Sequence, residues 1–259
     1  MGGHQPGSGT LAAAFTYPGV ADAYQHRPPY PPAVFDILTG LITDQPRRVL
    51  DLGAGEGALA RPLAPLVDHV DALDISPAMV AVGQQRPGGG HPSLRWLVGA
   101  AETADLAGPY ALVTAGASLH WMSWPQTLSR ARQVMTGNAV LAVVEHDHAG
   151  PPWRAGLAEI IVRHSRSRSF DPGFSLVGAL SASGLFTLAG EKTTSPAPFR
   201  QPVGPYIEQF HSRSSLAREW MTAGEAAEFD RAVADLVRPY ARDGVLDLPV
   251  VAHVAWGTL

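Results

Sequence analysis

The chain has no cysteine and a single lysine, Lys192. Without cysteine there are no disulfides, no thiolate metal sites and no cysteine nucleophile, so packing alone must supply the stability. With one lysine there is no Tyr-x-x-x-Lys pair of the kind a nicotinamide-dependent hydride transfer would use. Charge of one sign is also missing: 19 basic and 23 acidic residues are scattered without long runs, for a formal charge of −4. That balance offers no electrostatic footprint for a polyanion, and nucleic acid is not an expected partner. No segment stays apolar for the roughly 20 residues a membrane span needs, and the opening MGGHQPGSGT has neither the basic start nor the apolar run of a secretion signal. A cytoplasmic location is therefore expected.

What is present is a 259-residue chain, 46% hydrophobic, enough for one large α/β domain or a domain with a small cap. Residues 1 to about 12 are Gly-rich and polar, and a proline-dense approach follows from Tyr24 to Pro32. Helical spacing of Val34, Ile37, Leu38 and Leu41 predicts a helix over Ala33 to Leu41. From Arg48 the pattern alternates. Strands are predicted at Val49 to Leu52, Val70 to Ile75, Leu94 to Val98, Tyr110 to Thr114 and Ala139 to Glu145, with helices at Ala58 to Leu66, Pro77 to Gln85 and Gln126 to Met135 between them. Interleaved strands and helices indicate a parallel, doubly wound sheet covered on both faces.

Beyond Gly150 the rhythm changes. Helices are expected at Trp153 to Ser167, Ser181 to Leu185, Val203 to Phe210 and across Ser215 to Leu236, strands at Phe186 to Thr194 and Val251 to Trp256. The expected division is an arm over 1–30, a core over 31–150, a helical cap over 151–240, and a closing segment over 241–259 whose strand rejoins the sheet, antiparallel to the rest.

The strongest motif is Val49-Leu50-Asp51-Leu52-Gly53-Ala54-Gly55-Glu56-Gly57, a buried strand running into a glycine bend and then a helix. Glycines there allow positive φ and let a ligand approach the main chain without meeting a Cβ. A bare glycine triplet is often only a turn; the strand before and helix after make it a nucleoside shelf. Asp74, ending the next strand about 20 positions on, is placed to accept both hydroxyls of a ribose. Its other role, capping the following helix, is already filled by Ser76 before Pro77.

These residues resemble the class I S-adenosylmethionine-dependent methyltransferases. Asp51-Leu-Gly-Ala-Gly-Glu-Gly is similar to their cofactor loop, Asp74-Ile-Ser-Pro-Ala-Met to their ribose segment, and Gly99-Ala-Ala-Glu102 to the stretch beside the adenine. Arg27-Pro-Pro-Tyr-Pro, Ser118-Leu-His-Trp121, Arg130 to Leu141, Phe210-His-Ser-Arg-Ser-Ser215 and the closing Leu248 to Gly257 segment resemble a subgroup related to trans-aconitate methyltransferases. Two positions depart from the pattern: Ala117 stands where Gln is frequent, and Thr136-Gly137-Asn138 replaces a Pro-Gly-Gly turn. The resemblance implies a Rossmann-like core and a site for S-adenosyl-L-methionine formed by Tyr24, Arg27, Asp51, Gly53, Ala54, Gly55, Asp74, Ile75, Met79, Ala101, Glu102, Ala115 and Ala117. In that site Arg27 would meet the methionine carboxylate; the alternative is a surface arm with Arg27 in water.

Ligands of open α/β sheets sit at the carboxyl ends of the strands, which singles out Ala115 to Trp121 and Glu145-His146-Asp147-His148. His120, His146 and His148 are the candidate catalytic groups, with a packed wall residue as the other role for His120 and an acceptor contact or solvated strand end for the pair. Two histidines alternating on a strand lack the third ligand of a metal site, and none is expected. The aromatic and methionine residues Trp153, Phe170, Phe174, Phe210, Trp220 and Met221 read as core with a few lining an acceptor pocket, and Arg163 to Arg168 as a solvated helix end. The expected function is methyl transfer to a small organic molecule, at oxygen or else nitrogen or carbon. The alternative is a protein of the same fold that binds the cofactor and rearranges or only binds its ligand.

Overall fold

A computed structural model describes residues 18–165 and 174–259. The Gly-rich start, Phe170, and the ends of the helix expected to Ser167 and of the basic run to Arg168 lie outside the described residues. The chain forms two compact units: a sheet unit of residues 30–146, 174–195 and 251–259, and a helical unit of residues 18–29, 147–165 and 196–250.

In the sheet unit, strands β1 (Arg48–Leu52), β2 (His69–Asp74), β3 (Leu94–Val98), β4 (Tyr110–Gly116), β5 (Met135–His148), β6 (Thr187–Thr193) and β9 (Val250–Thr258) form one sheet in the order β3-β2-β1-β4-β5-β9-β6. β1, β2, β3, β4 and β5 pair in parallel, and β9 runs antiparallel to β6. This is the Rossmann-like, mostly parallel sheet expected, with its antiparallel last strand. Central strands are buried on both faces, so β1 reads as an unbroken apolar run around Asp51. Alternation divides it: Val49 joins the core cluster of Val34, Leu38 and Leu63, while Leu50 and Leu52 join that of Leu119, Leu141 and Phe186.

Helices α2 (Ala33–Gly40), α4 (Pro77–Gln85) and α5 (Trp124–Gln133) follow the expected spacing. The helix expected over Ala58 to Leu66 is instead a single turn, α3 (Ala60–Leu63), followed by a 3₁₀ turn over Ala64–Leu66. Pro65 has no N–H to continue the ladder and its ring crowds the carbonyl four residues back. Helix α7 (Leu176–Ala182) begins earlier than the expected Ser181 to Leu185, because Ser175 caps it by accepting from the Gly178 amide at 3.1 Å, and Gly184 at φ +74° follows its end. Residues 174–195, grouped by sequence with the cap, pack in the sheet unit, where β6 forms an edge beside β9.

The helical unit holds α1 (Pro18–Tyr24), α6 (Arg154–His164), α8 (Val203–His211) and α9 (Ala223–Val237) around Trp153, Tyr206, Phe210, Phe229 and Val233. α9 starts at a capping box, Thr222 with Glu225. The stretch expected to be helical from Ser215 begins as two 3₁₀ turns, Ser214–Leu216 and Arg218–Trp220. A two-stranded antiparallel pair, β7 (Arg200–Pro202) with β8 (Val245–Asp247), has no counterpart in the sequence reading, since three-residue strands are too short for a period to register. Among the described residues no helix is long and apolar enough to cross a membrane.

Candidate functional site

The site is built where β1 ends. Gly53, Gly55 and Gly57 have φ of +67°, +58° and +79°, a region costly for residues with a Cβ. Space is restricted as well: a Cβ on Gly53 would lie 2.5 Å from that of Ser118, whose hydroxyl donates to the Leu52 carbonyl at 2.5 Å. From below, the Trp96 ring fills the hole left by two glycines, 2.5 Å from where a Gly57 Cβ would stand and 2.3 Å from a Gly83 Cβ, and its Nε1 donates to the Gly89 carbonyl at 2.8 Å. Glu56 pairs with Arg86 at 3.0 Å and Arg61 at 3.6 Å. The bend is thus fixed by Ser118, quoted in the sequence only as part of a motif, and by Trp96, which sequence patterning did not single out.

Two acids flank it. Asp74 accepts from the Gly55 amide through Oδ2 at 2.7 Å and from the Ser76 amide through Oδ1 at 2.8 Å. Burial raises its carboxyl above the usual range while the two amides oppose that rise. Each oxygen keeps a second lone pair for a ligand hydroxyl. Asp51 is shut off from solvent, 1% exposed, and accepts from the Thr114 hydroxyl at 2.8 Å. Burial pushes the Asp51 carboxyl up to about 7, with the Asp74 charge adding and Thr114 opposing. Among the described residues no cation pairs with it at ion-pairing distance. Thr114 was a legible signal: a lone polar residue in the buried strand Tyr110-Ala-Leu-Val-Thr.

The remaining cofactor candidates of the sheet unit gather on the same strand ends. Ile75 is 59% exposed beside Asp74, a large apolar side chain turned to solvent. Met79 is buried, its Cε 3.3 Å from where a Gly55 Cβ would stand. Ala54, its amide bonded to the Leu73 carbonyl at 2.9 Å, Ala101 and Ala115 are buried, and Glu102 accepts from the Ser123 amide at 2.8 Å. Ala117 adopts φ +50°, with its amide on the Val144 carbonyl at 3.1 Å.

The three candidate histidines have different surroundings. His120 is exposed on a 3₁₀ turn, its ring 4.6 Å from that of Trp121. His146 is half-buried against Tyr30 at 4.2 Å, and the Tyr30 hydroxyl lies 2.6 Å from where a Gly116 Cβ would be, at the carboxyl end of β4. Tyr30 was quoted in the sequence only as part of a motif; its contact with Gly116 depends on the fold. His148 belongs to the helical unit, buried and stacked on Phe199 at 6.4 Å. Exposure alternates along Glu145, His146, Asp147 and His148 as an extended segment requires. Among the described residues no three His, Asp or Glu side chains are arranged for a metal ion.

Tyr24 and Arg27 also belong to the helical unit. The Arg27 guanidinium lies 4.1 Å from the Tyr24 ring centroid and donates from Nε to the Ser212 hydroxyl at 2.7 Å.

A family model described as a methyltransferase domain matches residues 49–138. A malonyl-(acyl-carrier protein) O-methyltransferase of Anoxybacillus flavithermus is 30% identical over 92 residues, 34% of this chain and 35% of that protein. An uncharacterized methyltransferase of Mycobacterium bovis is 36% identical over 98 residues, 37% of this chain and 49% of that protein. The chain therefore spans half or less of these curated relatives. Among solved structures, a candidate type II methyltransferase of Anaeromyxobacter dehalogenans aligns over 89% of this chain and 96% of its own, at 21% identity and a TM-score of 0.62. A Geobacter sulfurreducens methyltransferase in complex with S-adenosyl-L-homocysteine aligns over 95% and 97%, at 16% identity and a TM-score of 0.54. At these identities the structural likeness establishes the fold.

Proposed function

We propose that the chain is a class I S-adenosylmethionine-dependent methyltransferase that methylates a small organic acceptor, at oxygen; the match of residues 49–138 to a methyltransferase-domain model supports this reading. The observation that carries this reading is the hydrogen bond from the Gly55 amide to Asp74, which ties the ribose acid directly to the glycine bend. The residues fit the cofactor: the bend leaves the main chain open, Asp74 retains acceptor sites for a diol, Ile75 offers an exposed apolar face to a base, and Asp51 is a buried acid with no cation at ion-pairing distance among the described residues. When bound, S-adenosylmethionine supplies a methyl group on a sulfonium, open to in-line displacement.

The chain's own task is to orient the acceptor and keep water out. His120 and His146, after β4 and at the end of β5, are the groups suited to take a proton from an acceptor hydroxyl. An acceptor of modest size and no polyanionic character agrees with the scattered charge, and a relative's name specifies methylation at oxygen.

The test is calorimetric binding of S-adenosylhomocysteine followed by turnover across an acceptor panel. The expected result is micromolar-range uptake and equimolar formation of S-adenosylhomocysteine and methylated product. A chain that binds neither form of the nucleoside sinks the reading; binding without turnover on any acceptor leaves a ligand-binding protein of the same fold.

A further inference from the structure

Within the sheet unit, β1 and β4 pair with Asp51 and Thr114 directly in register, and the same row continues to Ala72 on β2 and Ala142 on β5. Register partners present their side chains on one face of a sheet. A polar pair therefore sits between two alanines in the middle of the sheet, and all four residues are buried. The Thr114 hydroxyl has one proton to give, and gives it to Asp51 Oδ1 at 2.8 Å. An ionised carboxylate has about four acceptor sites, and this bond uses one of them.

Burial raises the Asp51 carboxyl to about 7; the Thr114 hydrogen bond opposes that rise, the Asp74 charge at the end of β2 adds to it, and the Ala60 amide at the start of α3 opposes it. Packing does not require such a pair. Valine has the outline of threonine, and burying an acid beside neutral donors alone costs stability. An acid held in this state suits a ligand that brings the positive charge its surroundings lack.

We propose that Thr114 is a positioning residue, fixing the Asp51 carboxylate through Oδ1 so that its remaining acceptor sites receive a cationic group of bound S-adenosylmethionine. The proposal rests on the methyltransferase reading for the identity of that ligand. The Thr114 hydroxyl can donate to Oδ1 whether the acid is ionised or carries a proton on its other oxygen, so it holds one carboxylate orientation in both states. Proton and ligand cation compete for the same acid. Below about pH 7, loading therefore releases the Asp51 proton to solvent.

The experiment is calorimetric titration of the full chain and its Thr114→Val and Thr114→Ser variants with S-adenosylhomocysteine and with 5′-methylthioadenosine, which lacks the charged amino-acid end, in buffers of differing ionisation heat from about pH 5.5 to 8.5. We expect wild-type affinity for S-adenosylhomocysteine to fall about tenfold or more from the top of that range to the bottom, with a proton released on binding at low pH, while methylthioadenosine changes by less than about twofold. T114V, which loses the donor, should move the midpoint of that fall to higher pH, and T114S, which keeps it, should restore the wild-type midpoint. Melting of the free chains gives a second readout. A carboxyl raised in the fold loses its stabilising contribution as pH rises through the folded value, so in T114V that decline should extend to higher pH. A midpoint and a melting profile unmoved in T114V, with affinity lowered by one factor at every pH, would mean that Thr114 only packs and would overturn the proposal, as would wild-type affinity independent of pH. Methylthioadenosine binding in those titrations leaves the methyltransferase reading standing, whereas a wild type that takes up neither nucleoside sinks that reading and this proposal with it.

Discussion

The middle of the sheet and its carboxyl edge treat a buried aspartate in opposite ways. Asp71, inside β2, receives two hydrogen bonds from Arg95 at 2.6 and 2.9 Å and one from the Tyr110 hydroxyl at 2.6 Å, with Arg48 at 3.5 Å and His69 at 3.0 Å. Burial alone would raise it, but Arg95 and Tyr110 hold it below the usual carboxylate range. Asp51, on β1 where β1 gives way to the bend, accepts from the Thr114 hydroxyl and among the described residues has no cation at ion-pairing distance, and burial leaves it up at about 7. The difference separates an acid whose counter-charges are part of the fold from one whose surroundings suit a cationic ligand. The sulfonium nucleoside proposed as cofactor, which bears an ammonium group, would be such a ligand.

Removing the paired acid is the harshest way to break this comparison. Asp71→Ala strands Arg48, Arg95 and the buried Tyr110 hydroxyl, and is expected to cost about 3 kcal/mol in denaturant unfolding; a loss under 1 kcal/mol would mean the network adds little. Because Asp71 is held low, its stabilisation is present above the ordinary carboxylate pKa and disappears as pH falls through the folded value.

At the carboxyl edge the expected losses are in binding. Gly53→Ala places a Cβ in the left-handed region and against Ser118, and should weaken S-adenosylhomocysteine by at least about 2 kcal/mol. If Asp74 holds the ribose as proposed, Asp74→Ala should weaken S-adenosylhomocysteine by about 2 kcal/mol, with the melting temperature of the free chain changing little by comparison. Unaltered affinity in both variants would detach the bend from the cofactor.

The smallest and sharpest effect is the pH response of Asp51→Asn. In the wild type the folded state keeps the Asp51 proton up to about 7, whereas the unfolded chain releases it near about 4. The unfolded state therefore binds fewer protons across that window, and wild-type stability declines as pH rises through it. The variant lacks this slope, so its melting temperature should gain on the wild type between pH 4 and 7 and run parallel above. Parallel curves throughout would show that Asp51 is ionised in the fold.

Much of this edge was legible because its information is local. The bend, Asp74 and the Ser76 cap lie within one strand-turn-strand-helix stretch, where residue period and glycine positions report directly on backbone conformation. The helix over Pro77 to Gln85 and the strand over Leu94 to Val98 were read with the bounds they have. Pro65 shortened α3, a local rule outweighed in the reading by the apolar period around it. The grouping of residues 174–195 with the cap had a different origin: no local pattern tells a strand which edge of a sheet it will join.

Sequence by itself determined the alternating elements, the positive-φ bend and the acid beyond it, since these depend on preferences of residues a few positions apart. Only the tertiary structure decided that Thr114 meets Asp51 across 63 positions, that Ser212 meets Arg27 across 185, and that Trp96 fills the hole under the bend. Such partners are chosen by how the whole chain closes on itself, where many residues of similar chemistry compete and geometry alone selects among them.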